Sequence, residues 1–280
     1  MNSAFARDMW RVLEPLHAVT YFAPECLGAF KAVGLRGFWM GYFAGRSAPF
    51  GAAGPSLVEA AFFNFHPRMV RRAIPDAWGF ATPETVLAVR GRAAAEALRG
   101  MAPDIAEAAE RALPSLLAAV EAAPAGGRPL FAANRDLPTP EDPVESLWQA
   151  VTALREHRGD GHIGCLLAEG LGSGEALALF AADTGTPPEL WRELRGWTED
   201  EWAAAESRLA ERGLLDGSGI TKAGRALRAH IESRTDALAL TAYTDVPDIE
   251  ATLAALTPAA RAVAHTGVVR SPDLLGTGAP

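Results

Sequence analysis

Residues Thr198 to Asp236 read TEDEWAAAESRLAERGLLDGSGITKAGRALRAHIESRTD, and their pattern decides the fold. Trp202, Ala205, Leu209 and Ala210 recur at helical spacing, and Gly213 ends that run. Leu214 and Leu215 then enter an extended segment, Asp216-Gly217-Ser218-Gly219 makes a tight turn, and Ile220 returns. Thr221 has the side chain to cap a second helix through Ala226, Leu227 and Ile231. The spacing predicts helix, short hairpin, helix, which is the plan of a winged helix-turn-helix with a small β-hairpin wing.

The order of "RLAERGLL" followed by "ITKAGRALRAHIE" resembles the C-terminal half of the winged helix in MarR-type regulators. That resemblance implies a DNA-reading helix at Thr198 to Gly213, yet the residues there oppose it. Glu199, Asp200, Glu201, Glu206 and Glu211 face only Arg208 and Arg212, whereas a helix entering the major groove draws most of its affinity from lysine and arginine. The turn of the wing has no basic residue before Lys222. We therefore expect a scaffold for which DNA is an unlikely partner.

The net charge of -8 and a pI near 5.3 agree with that, since both predict weak nonspecific attraction to nucleic acid or anionic lipid. No apolar run reaches the roughly twenty residues needed to span a bilayer. Phe38 to Phe50 comes nearest, and Gly41, Gly45, Arg46 and Pro49 interrupt it. The start, MNSAFARDMW, lacks the pattern of a secretory signal. Two cysteines, Cys26 and Cys165, are too few for a disulfide framework or a zinc site. The expectation is a cytoplasmic protein without membrane contact, cofactor or metal.

Upstream, helical spacing covers Ala4 to Val19, Glu25 to Val33 and Arg36 to Arg46. In the third, Gly37, Gly41 and Gly45 form a small-residue row that admits a neighbouring helix or leaves room for a ligand. Two alanine-rich helices follow, Pro83 to Gly100 and Pro103 to Ala123. Residues 124–143 read as a proline- and glycine-rich linker in which Pro129 to Ala133 docks as a short strand. Then come a helix from Glu141 to His157, a polar turn from His157 to His162, helices Ile163 to Glu169 and Ser173 to Ala182, and a last helix from Pro247 to His265 ahead of a loose tail from Val268 to Pro280. The fold class expected is mainly α.

The pattern restarts after the linker. Phe80-Ala81-Thr82-Pro83-Glu84 and Trp197-Thr198-Glu199-Asp200-Glu201 each open a long helix, and Met9-Trp10 answers to Leu147-Trp148. This points to an internal duplication, residues 1–123 and 144–280, packed as a pseudo-dimer with a small-molecule pocket between the halves. A homodimer of the whole chain is left open.

The blocks "MWRVLEPLHAVTYFAPE", "GLRGFWMGYFAGRSAPFG", "FFNFHP" and "LREHRGDGHIGCLLAEGL" resemble the SalK-like family of actinobacterial winged-helix proteins over nearly the full length, Met9 to His265. The resemblance implies a helix-turn-helix-type fold and occurrence with genes of secondary metabolism. It supplies no reaction and no site residues.

Two clusters carry chemistry. In the first half, Tyr21, Trp39, Tyr42, His66 and Arg46 suggest an aromatic-walled pocket with an arginine for an anion, and His17, four residues before Tyr21, is a proton-transfer candidate. Against this, the aromatic residues read as well as core. In the second, His157, Arg158, Asp160 and His162 flank Gly159 and Gly161, so the turn has backbone N–H groups to offer an anion and a histidine–carboxylate pair for acid–base work. Three ligands so closely spaced match no zinc pattern. The competing reading is a charged turn with Asp160 capping the next helix. Arg68, Arg71 and Arg72 read as a solvated face, and His230 and His265 as surface. The favoured function is a small-molecule-binding protein or cofactor-independent enzyme of secondary metabolism, with a MarR-like metabolite-sensing DNA-binding regulator as the alternative.

Overall fold

The computed structural model describes residues 1–269, so most of the tail expected from Val268 onward lies outside the described residues. The chain is mainly helical. Asn2 accepts from the Ala4 and Phe5 amides and opens α1, Ser3–Phe22. Proline at the first turn starts α2, Pro24–Ala32, where its missing N–H costs nothing. Next come α3, Gly37–Ser47, and the short helices α4, Pro55–Ala61, and α5, Pro67–Arg71. Thr82 caps α6, Pro83–Met101, and α7 covers Ile105–Ala122.

The stretch read as a linker contains a helix where a strand was expected. α8 spans Pro129–Arg135, and its Leu130 and Phe131 are fully buried. The next element departs furthest from expectation. α9 runs unbroken over Pro143–Ala168, so His157 to His162 lie within one helix and form no turn. Two glycines and four polar side chains look like a turn locally, but tertiary packing overrides local propensity. At Gly161 the Leu238 Cβ would stand 3.6 Å from an added Cβ, and the polar side chains find distant partners.

α10, Ser173–Thr184, and α11, Pro188–Arg195, lead into α12, Glu199–Glu211. Thr198 and Glu201 form a capping box at the start of α12, each satisfying a free amide of the other. β1, Leu215–Asp216, pairs antiparallel with β2, Gly219–Ile220, with Leu215 opposite Ile220. Thr221 then caps α13, Lys222–Leu240, by accepting from the Gly224 amide. Gly224 is required there, because a Cβ would overlap the Leu214 carbonyl. The helix, hairpin, helix order expected from Thr198 to Asp236 is present, and this hairpin is the one sheet among the described residues. α14, Ile249–His265, closes the described chain.

Three apolar clusters hold these elements. The largest joins α1, α6, α7, α9 and α14 around Met9, Leu13, Leu16, Leu116, Leu147 and Trp148. The second lies between α2 and α6 and is rich in phenylalanine. Here the glycine row of α3 admits a neighbour: Phe30 of α2 fills the space beside Gly41 and Gly45, at 3.3 and 2.7 Å from where Cβ atoms would stand. The third packs the end of α9 with α10 to α13 around Trp191, Trp202 and Leu209. No single helix among the described residues is long and apolar enough to cross a membrane.

Candidate functional site

α1, α9 and α13 pack against one another, and with α10 and α11 they wall a cavity of about 690 Å³. Both ends of the chain contribute walls: Arg7, Trp10 and Glu14 from α1, and Trp191, Arg195 and Arg228 from the C-terminal elements. Its volume falls in the range of small-molecule sites.

Most of its arginines are neutralised. Arg7 and Arg158 share Asp236 and Glu232, with Arg158 Nη2 at 2.9 Å from Asp236 Oδ1 and Arg7 Nη2 at 2.9 Å from Glu232 Oε2. Arg158 also lies over the Trp10 ring, 4.1 Å from its centroid. Arg155 donates to Glu14 at 3.0 Å and to Glu156 at 2.9 Å. Arg228 sits 3.6 Å from Asp183 and 3.5 Å from Glu232. Arg195 has no carboxylate partner among the described residues. Its guanidinium is 4.6 Å from the Phe65 ring centroid and 5.3 Å from that of Trp191, and one Nη donates to the Leu194 carbonyl. Burial lowers its pKa, and Arg46 and Arg155 push in the same direction against Tyr42.

The cavity also gathers unsatisfied polar atoms. Asn64 Oδ1, Trp191 Nε1 and the Nε atoms of Arg158, Arg195 and Arg228 are buried without a hydrogen-bond partner among the described residues, and all five residues line it. Such atoms are uncommon in folded proteins because each costs desolvation.

His162 lines the same cavity. Its Nδ1 lies 3.0 Å from Thr235 Oγ1, and that hydroxyl donates its only proton to the Ile231 carbonyl at 2.8 Å. Thr235 therefore accepts from His162, which places the imidazole proton on Nδ1 and leaves the Nε2 lone pair free. Burial, the largest influence, depresses the imidazole pKa to about 4 against the opposing charge of Glu232, so the ring is neutral at pH 7.

His17, Tyr21 and Arg46 gather elsewhere, around a pocket of about 10 Å³, enough for roughly one water. His17 Nδ1 and Nε2 lie 3.0 Å from Thr152 Oγ1 and Tyr21 OH, and burial with Arg155 nearby lowers its pKa to about 3. Arg46 is occupied by Glu156. The helix read as one turn thus splits its residues by face. Arg158 and His162 point to the large cavity, while Asp160 Oδ2 accepts from the Phe131 amide and so caps α8 in space, in place of the helix that follows it in sequence. His157 packs edge-on against Phe131, with ring centroids 4.9 Å apart.

Trp39 and Tyr42 join Phe43, Phe62 and Phe65 in the aromatic cluster and are not among the walls of either cavity. His66 caps α5 and meets Glu201 of α12 at 3.0 Å. Arg68 also reaches Glu201, and Arg71 reaches Glu59. Cys26 and Cys165 are buried free thiols, and burial raises Cys26 to about 12. Among the described residues no cluster of three histidine, cysteine or acidic side chains is placed to hold a metal ion. Arg7, Trp10, Glu14, Arg195 and Arg228 escaped the sequence reading. One local signal was present, the pair Trp191 and Arg195 at i, i+4 on a short amphipathic helix.

No curated protein and no solved structure matches this chain. A family described as helix-turn-helix matches residues 6–270, nearly all of the chain. This protein belongs to that helix-turn-helix family.

Proposed function

We propose that this chain is a small-molecule-binding protein of actinobacterial secondary metabolism, built on a winged helix-turn-helix, with its ligand held between α1, α9 and the helix-turn-helix elements. The observation that carries the reading is the 690 Å³ cavity, whose walls combine the rings of Trp10, Phe180 and Trp191 with Arg195, a guanidinium without a carboxylate partner among the described residues. Burial of a ligand among those rings supplies affinity, and a polar group on it can meet the Arg195 guanidinium. His162 Nε2 adds a neutral acceptor that can serve binding or proton transfer. The two halves, 1–123 and 144–280, each give a wall, as a pseudo-dimer requires.

The test is saturation-transfer NMR with a panel of neutral, cationic and anionic aromatic fragments, using wild type and Leu177→Trp, which fills the cavity. Binding by wild type that the variant loses supports the reading. Absence of binding across all three charge classes overturns it.

Family membership favours a second reading, a DNA-binding regulator. The exposed face of α12 supports the first instead. Glu199, Asp200 and Glu211 are exposed on it, Arg208 is tied to Glu175, and Arg212 donates to the Glu169 and Gly170 carbonyls. Anisotropy of labelled duplex DNA, including the gene's own upstream region, decides between them. Sequence-selective binding with a steep salt dependence establishes the regulator, and its absence at low salt leaves the scaffold reading.

A further inference from the structure

We infer that the cavity takes a hydroxylated aromatic monocarboxylate, its carboxylate seated on Arg195 and its hydroxyl donated to His162 Nε2. The inference rests on the binding reading above and adds the class of ligand.

Charge decides the first part. Four lining arginines, Arg7, Arg155, Arg158 and Arg228, each have a carboxylate within 3.6 Å. Arg195 is the exception among the described residues. Arg195 is half-buried against aromatic rings, and one positive charge without a carboxylate partner calls for one negative charge. A dianion such as phosphate would bring a second charge for which no cation is free. Of the five N–H donors of Arg195, one is used, by the Leu194 carbonyl. The rings of Phe65 and Trp191 hold the fork in place, so a planar carboxylate meets a preorganised bidentate donor.

Shape and the opposite sign of polarity give the rest. Trp10, Phe180 and Trp191 line the same space and suit a flat apolar body. His162, with its proton fixed on Nδ1 by Thr235, is an acceptor, so the group it meets must donate. A hydroxyl satisfies that, and a second carboxylate does not.

The probes are 4-hydroxybenzoate, benzoate, methyl 4-hydroxybenzoate and inorganic phosphate, titrated by calorimetry into the full chain. We expect 4-hydroxybenzoate to bind at least tenfold more tightly than its methyl ester, and more tightly than benzoate or phosphate. Arg195→Met should weaken 4-hydroxybenzoate tenfold or more without lowering the melting temperature of the free protein, since no carboxylate among the described residues loses a partner. His162→Phe should abolish the preference over benzoate. Equal binding of acid and ester, tighter binding of phosphate, or marked destabilisation by Arg195→Met overturns the inference. Binding confined to neutral or cationic fragments in the NMR panel sinks it while leaving the cavity reading intact, and no binding of any fragment removes both.

Discussion

Arg46 and Glu156 meet fork to fork, Nε to Oε1 at 2.8 Å and Nη2 to Oε2 at 2.9 Å, and so join α3 to the middle of α9 across 110 residues of sequence. Arg155 donates to the same carboxylate at 2.9 Å, and the Glu156 side chain is only 1% exposed. Burial by itself would raise the Glu156 carboxyl, but the two arginines outweigh it and hold the group well below the usual carboxylate range.

Removing one partner leaves the other charged and buried. Glu156→Met should therefore cost about 3–5 kcal/mol, and Arg46→Met a similar amount. The double variant Arg46→Met, Glu156→Met should recover much of the loss, because an apolar pair replaces a desolvated ionic one. Urea unfolding of the four proteins gives the coupling, and strict additivity would show that the fork contributes nothing.

Three histidines set the response to acid. Burial lowers His17 and His157 to about 3 and His162 to about 4, from 6.5. With folded values below unfolded ones, the unfolded chain binds more protons below pH 6.5. Their stabilisation is complete above that pH and is lost as the pH falls towards 4, by up to about 2 kcal/mol per histidine between pH 7 and 5. Asp160 runs the other way. Burial and Glu156 raise it to about 7 from 3.8, so its ionisation costs stability as the pH rises through 7. Asp160→Asn keeps an acceptor for the Phe131 amide and should stabilise more at pH 8 than at pH 5, by about 2–3 kcal/mol, with the gain vanishing only below about pH 4. Urea midpoints at the two pH values check both signs.

Glycines inside α9 test its continuity. Gly164 is exposed with no atom within 4 Å of an added Cβ, and at Gly159 the nearest would be Glu156 Oε2 at 3.5 Å. Neither has a positive φ. Gly164→Ala should stabilise by about 0.5–1 kcal/mol, and Gly159→Ala should be neutral or mildly stabilising. A loss above 1 kcal/mol at Gly159 in thermal unfolding would restore the turn that the local sequence suggests.

What was legible in sequence follows from the range of the interactions. Thr198 with Glu201 and Thr221 with Gly224 satisfy each other within three residues, so the helix, hairpin and helix of Thr198 to Asp236 could be read directly. The interior of α9 could not. Arg158 answers to Asp236, 78 residues on, His162 to Thr235, 73 on, and Asp160 to the Phe131 amide, 29 back. With those partners out of view, a polar, glycine-bearing run looks like surface. Of the candidate site residues, Arg158 and His162 reach the large cavity, and His17, Tyr21 and Arg46 gather at the small one. Arg195 was invisible because what marks it is the lack of a nearby acid, which only packing shows.

The unbroken course of α9 carries a further consequence. One face holds Leu147, Trp148, Val151 and Leu154 against helices from the start of the chain, and its far end holds Cys165 and Leu166 against α10 to α13. Severing the chain at the proline-rich stretch before it would strip a full side of that rod and leave a long greasy stripe in water. The segment from Pro143 onward is thus no free-standing module that evolution could shuffle into another gene, and it travels only together with the helices that cover it.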